Sequence, residues 1–203
     1  MSSDINACST LVPHVWMQSP NYSNVCTPAK ATRVGEIFSM DFGFVKGNVY
    51  NRLVRSHKGY SSFLLIVDHK TRYMWVFLTK NKKPPVKVIS QFLKIYGLKK
   101  GGIKVLRIDQ GGKLVKDSSF REATSELGYQ VEITGANNSS QNGKVERPHR
   151  TLGQMMRAVL TNAGLHPKYW SDILLHSMFS KNRLPVGDMV DQSLISLWHL
   201  SRC

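Results

Sequence analysis

Cysteine is scarce in this chain, and so is acid. The three cysteines, Cys8, Cys26 and Cys203, are odd in number and far apart, so they make no disulfide framework. No apolar run approaches the length of a membrane span, and no signal peptide opens the sequence. A stapled secreted scaffold and a membrane helix are thereby excluded, and a reducing compartment, nuclear or cytoplasmic, is expected. Aspartate and glutamate together number 13 against 28 lysines and arginines, for a net charge of +15. Residues 1–40 are neutral and residues 184–203 carry −1, so the excess belongs to the middle of the chain. A folded region this basic has the electrostatic footprint of a nucleic-acid binder, the plain alternative being a soluble basic protein.

Three of the few acids stand in distinctive settings. Asp41 follows Ile37-Phe38-Ser39-Met40, and Asp109 follows Val105-Leu106-Arg107-Ile108 and precedes Gln110-Gly111-Gly112. Glu146 lies within Gln141-Asn142-Gly143-Lys144-Val145-Glu146-Arg147. Two acids at strand ends and a third opening a helix can converge as a carboxylate cluster. Oxygen ligands of that kind hold Mg²⁺, and a metal pair runs in-line phosphoryl transfer. Each acid has a plainer reading as well. Asp109 could begin a glycine turn, Asp41 could point outward from a half-exposed strand, and Glu146 could pair with Arg150 one turn on. Pro148 is tolerated in a first helical turn, which predicts a helix start near Lys144 or Val145 with Glu146 in its opening turn. There the helix dipole favours the ionised acid. Asp68 reads as a turn residue before His69-Lys70-Thr71. Asp117, Glu122, Glu126 and Glu132 read as facing solvent.

The remaining pattern predicts an α/β fold, a five-stranded mixed sheet flanked by helices, with an antiparallel hairpin first. Strands are expected over 35–44, 62–68, 72–79, 103–108 and 129–133, and helices after Pro84-Pro85, over 117–127, up to about Asn162, and from Pro167 to Arg183. Residues 134–142 read as a polar, mobile loop. Three segments result: 1–34 as a linker or remnant, 35–185 as the core, and 186–203 as a divergent tail. Trp75, Trp170 and Trp198 read as packing residues.

Sixty-seven residues separate Asp41 from Asp109, and 36 separate Asp109 from Glu146. With the local contexts, this spacing resembles the DDE integrase core of copia-type (Pseudoviridae) LTR retrotransposons. The matching segments are Met40-Asp41-Phe42, Leu64 to Asp68 with Thr71-Arg72-Tyr73, Arg107 to Gly112, Gln141-Asn142-Gly143 with Glu146-Arg147, His149 to Leu152, and Tyr169-Trp170 with Lys181 to Pro185. They cover about 35–185 in order.

The resemblance implies a ribonuclease H-like fold and a polynucleotidyl transferase or endonuclease. Asp41, Asp109 and Glu146 would be catalytic and would bind two Mg²⁺ or Mn²⁺ ions. The reaction implied is strand transfer of the element's cDNA ends into target DNA, with end processing. Lys144, Arg147 and Arg150 are the first candidates for DNA contact, with Gln141, His149 and Lys113 beside them. A homo-oligomer is implied by analogy, as is residence in virus-like particles and the nucleus. Lys113 stands where the family has Glu, and Ile108 where it has Thr or Ser. Upstream, Cys26 resembles the last ligand of the family's zinc module, but Ser23 replaces its partner, so no zinc is expected. Two other functions fit the same residues: a degenerate nucleic-acid-binding relic of this fold, and a ribonuclease H-like nuclease.

Overall fold

A computed structural model describes residues 30–46, 52–81, 83–99, 101–102, 104–109, 114, 116–134, 139–186 and 189–200, with backbone alone at 134, 139–145, 186 and 189–192. The sheet consists of β1 (Ile37–Gly43), β2 (Ser62–Asp68), β3 (Met74–Thr79), β4 (Val105–Asp109) and β5 (Gln130–Thr134), in the order β3-β2-β1-β4-β5. β1, β2 and β3 pair antiparallel, and β4 and β5 join as parallel strands. The helices are α1 (Val86–Tyr96), α2 (Ser118–Glu126), α3 (Ser139–Asn162), α4 (Trp170–Arg183, entered through a 3₁₀ turn at Pro167–Tyr169) and α5 (Leu194–Leu200). A two-stranded ribbon, β6 (Pro185–Val186) and β7 (Met189–Ser193), lies between α4 and α5. The five-stranded mixed sheet is the one the sequence predicts.

Side chains alternate across the strands, so each face builds its own core. Phe38, Met40, Leu64, Ile66, Leu106 and Ile108 point to the side of α1 and α2. Phe63, Leu65, Val67, Met74 and Val76 point to α3 and α4, where Leu152, Met156, Trp170 and Leu174 meet them. α1 presents Ile89, Phe92 and Leu93 at helical spacing and stops at Gly97. A Cβ on Gly97 would lie 1.9 Å from the Tyr129 hydroxyl, so only glycine fits. α2 starts where Asp117 accepts a hydrogen bond from the Phe120 N–H at 3.0 Å.

The β2–β3 turn is held from below. Asp68 is fully buried and accepts from the Thr71 N–H (2.7 Å), the Thr71 hydroxyl (2.8 Å) and the Gly35 N–H (3.0 Å). Its structural reading holds. Three other readings change. α3 starts at Ser139, five residues before the earlier of its two expected starts, so Glu146 is not in the opening turn and Pro148 sits inside the helix. Tertiary contacts along α3 outweigh the local cost of a missing N–H. Of the loop expected over 134–142, Thr134 ends β5, 139–142 are helical, and 135–138 lie outside the described residues. Glu132 does not face solvent. It is buried against Arg107, with Arg107 Nε 2.7 Å from Glu132 Oε2.

Beyond Pro185 the chain folds back. Leu194 is buried in the α3–α4 core, and Trp198 is buried among Tyr73, Trp75 and Tyr96 in the other. Trp170 is buried too, and its Nε1–H donates to the Val54 carbonyl at 3.0 Å.

Candidate active site

β1 and β4 run parallel, with Ser39 opposite Arg107 and Met40 opposite Ile108. Asp41 and Asp109 are the next step of that register. Two carboxylates therefore leave neighbouring strands on one side of the sheet, the strands being about 4.8 Å apart. Asp109 is the last residue of β4, at the carboxyl end where open α/β sheets place their sites. The face they share is the one α3 crosses, and α3 carries Glu146.

Electrostatics links the three. Asp41 is half-buried, and burial pushes its carboxyl up to about 6. The Phe42 N–H, 2.7 Å from Oδ1, opposes that rise, while the negative charges of Asp109 and Glu146 add to it. Like charges within reach of one another disfavour ionisation, and a cation placed among them would relieve the cost. Asp109 and Glu146 are exposed. Among the described residues no three His, Cys, Asp or Glu side chains are gathered closely enough to hold a metal ion. The donors suit a hard divalent ion in type, three carboxylates with oxygen ligands, but they do not form a closed cage.

His149, one turn beyond Glu146, faces inward. It is largely buried against the Phe63 ring, and its Nε2 lies 3.4 Å from Asp41 Oδ2. That separation exceeds the usual hydrogen-bond range of about 2.7–3.2 Å, and Nε2 makes no hydrogen bond. Burial pushes the imidazole down to about 4, so at neutral pH a neutral ring meets a carboxylate and no ion pair forms.

Arg147 and Arg150 are exposed beside Glu146. Among the described residues Glu146 has no ion-pair partner, Arg150 included, which removes the surface salt-bridge reading. Arg72, in a left-handed conformation with φ 65°, has its pKa lowered by burial first and by the nearby Arg147 charge second. Two guanidinium groups within electrostatic reach favour an anion between them. Gln141 and Lys144 are described by backbone alone, in α3, and Lys113 lies outside the described residues.

The chain's sequence relatives are polyproteins. It is 27% identical over 165 residues to the retrovirus-related Pol polyprotein from transposon TNT 1-94 of Nicotiana tabacum, covering 81% of this chain and 11% of the polyprotein. It is 25% identical over 143 residues to that from transposon RE1 of Arabidopsis thaliana, covering 70% and 10%. The chain thus spans about a tenth of the length of these relatives. No protein-family model matches it. Among solved structures, it superposes with a TM-score of 0.58 on the magnesium complex of the HTLV-2 integrase catalytic core domain in its trimeric form, at 14% identity over 84% of this chain and 98% of that one. Against a simian T-cell lymphotropic virus intasome bound to the PP2A regulatory subunit B56 gamma, the TM-score is 0.64, at 16% identity over 84% of this chain and 56% of that one.

The fold matches that of retroviral integrase catalytic cores. The five-stranded mixed sheet read from the strand order is present in the ribonuclease H-like arrangement that the resemblance implies, and the relatives named are Pol polyproteins from transposons.

One part of the candidate centre has no counterpart in the sequence reading. Beneath the acids, on the same side of the sheet, Ser39 Oγ lies 2.5 Å from His69 Nε2, His69 Nδ1 lies 3.2 Å from Arg107 Nη1, and Arg107 pairs with Glu132. All four are buried. Ser39 and Arg107 each stand two residues before a strand-borne acid, so this chain ties together the strands that carry Asp41 and Asp109. A signal existed. An arginine inside Val105-Leu106-Arg107-Ile108 needs a partner if that strand is buried.

Proposed function

We propose that this chain is the catalytic core of an integrase that joins DNA strands in a divalent-metal-dependent reaction. The observation that supports it best is the placing of two sequence-distant acids side by side, within electrostatic reach of a third. Asp41, within β1, lies beside Asp109 at the end of the parallel β4, and Glu146 lies close enough for its charge to raise the Asp41 pKa. In this reading the three carboxylates hold Mg²⁺ or Mn²⁺, two ions in all, which would supply an activated oxygen nucleophile and a stabilised leaving oxygen.

The protein's own residues do the positioning. The Phe42 N–H fixes one oxygen of Asp41, and His149 stands against the other. Arg147 and Arg150, with Lys144, Gln141 and Lys113, bind DNA phosphates. A 3′-hydroxyl of the element's cDNA end attacks a target phosphodiester, forming one P–O bond and breaking another. Water takes the place of the hydroxyl in end trimming. His149 acts on Asp41 rather than on a phosphate in this arrangement, because its ring is turned inward.

DNA ends and target DNA are the partners, the working form is a homo-oligomer, and the reaction takes place in the nucleus or in cytoplasmic particles. Among the described residues no helix is long and apolar enough to cross a membrane. The test is a strand-transfer assay with Mg²⁺ or Mn²⁺. Glu146→Gln should abolish joining while DNA affinity stays within about twofold, since a neutral isostere removes a metal ligand and leaves the cationic surface. Equal loss of binding and joining would refute the metal assignment.

A degenerate relic of the same fold is the second reading. The absence of a closed three-ligand cluster among the described residues favours it. It predicts DNA binding without joined products at any metal concentration. A ribonuclease H-like nuclease predicts free fragments instead.

A further inference from the structure

A groove of 1220 Å³ opens beside the acids, between residues 43–46 and 52–54 on one wall and α3 on the other. Its size exceeds the range of about 300–1,000 Å³ usual for small-molecule pockets. Four cations line it, Lys46, Arg52, Arg150 and Arg157, and no carboxylate does among the described residues. Its floor is apolar. Phe44 and Leu53 are large hydrophobic side chains left exposed there, and Phe63 and Met156 lie behind them.

The wall opposite α3 is anchored. The Val54 N–H donates to the Val45 carbonyl at 2.9 Å, and the Val54 carbonyl accepts the Trp170 indole N–H. The groove is therefore built into the fold.

α3 sets the spacing. Positions 146, 150, 153 and 157 recur at steps of three and four, so they form one stripe along the helix. The stripe reads acid, cation, gap, cation: Glu146, Arg150, Gly153, Arg157. It runs about 16 Å from the catalytic acid into the groove. The gap is Gly153, where an added Cβ would meet nothing within 4 Å. Flat apolar groups have room to enter between two guanidinium groups.

Resting on the reading of this chain as a DNA-joining core, we propose that the groove binds an unpaired nucleic-acid strand leading to or from the acids. Duplex DNA presents phosphate and sugar outward and hides its base faces, so an apolar floor would be left unused. A single strand satisfies both parts of the lining. Its phosphates meet Arg150 and Arg157, and its bases lie on Phe44 and over the Gly153 gap. Cationic grooves with aromatic floors hold single strands in this way.

The experiment measures binding of a labelled short oligothymidylate, and of a duplex of equal length, to the full chain by fluorescence anisotropy. The variants are Gly153→Leu and Arg157→Glu. Leucine fills the gap, and it favours a helix over glycine, so the fold is retained. Each variant should weaken single-strand binding at least about tenfold while changing duplex binding less than about threefold. Arg157→Glu should also lower the salt slope of single-strand binding by about one unit. Equal losses for both ligands, or an unchanged single-strand affinity in both variants, would overturn the proposal. Joining by the wild type, measured alongside, separates it from the catalytic reading. Selective single-strand loss in the groove variants, with no joining by wild type under any metal, leaves the groove standing and refutes the strand-transfer function. Joining by wild type that survives Gly153→Leu, with single-strand affinity intact, does the reverse.

Discussion

Asp41 Oδ2 and His149 Nε2 lie 3.4 Å apart, an acid held above its ordinary pKa beside an imidazole held below its own. Burial is the main cause of both shifts, and each disfavours charge at the place where the proposed chemistry needs it. A site in this condition is destabilising until a cation fills it.

Asp41→Asn should therefore stabilise the protein. The folded-state pKa is about 6 against an ordinary 3.8, so the ionised acid costs stability above about 6, and that cost vanishes below 3.8. Wild type accordingly gains on the variant as the pH falls through this window. Since the side chain is 36% exposed, solvent screening reduces the effect to about 1 kcal/mol. Thermal melts at pH 7 should show Asp41→Asn higher by about 2–4 °C, and melts near pH 4 should show no difference. Mg²⁺ should raise the melting temperature of wild type and leave that of the variant unchanged.

His149→Phe keeps a flat ring against Phe63 and removes the nitrogen facing Asp41. If His149 positions the acid, joining should fall about 10–100-fold and the Mg²⁺ concentration for half-maximal rate should rise, with the melting temperature nearly constant. A loss of joining that tracks the loss of stability would show a packing role only.

The buried Arg107–Glu132 pair should be costly to break from one side. Glu132→Leu leaves a guanidinium without its counter-charge, at a cost of about 3–5 kcal/mol. Combining it with Arg107→Leu should recover part of that loss. Urea denaturation of the two single variants and the double variant closes the cycle, and simple additivity would count against a direct coupling.

Trp198→Ala should unfold much of the molecule, at about 3–5 kcal/mol, because the indole is buried among Tyr73, Trp75 and Tyr96. Ending the chain after Pro185 should cost at least as much. A truncated chain as stable as the whole would show that α5 adds nothing to the core.

Some features were legible because they are local. A run of mostly apolar residues marks β1 through Asp41, a run closed by Asp109 marks β4, and helical spacing of Ile89, Phe92 and Leu93 marks α1. Asp68 announced its turn through the adjoining His69-Lys70-Thr71. Glu132 did not announce its burial, since its partner Arg107 stands 25 residues earlier and meets it only through strand pairing. Pro148 misled for a related reason. A local rule placed the helix start near it, yet the packing of Leu152, Met156 and Leu160 on the sheet carries α3 past the proline.

Sequence alone determined most of the elements before Pro185, the excess of positive charge and the three acids, because periodicity, charge and turn chemistry act over a few residues. Only the tertiary structure decided what those residues face. Strand register set Asp41 beside Asp109, the crossing of α3 turned His149 inward and Arg150 outward, and the fold-back of α5 sealed one core. Those outcomes depend on contacts between distant segments, whose free energy exists only once the sheet has formed.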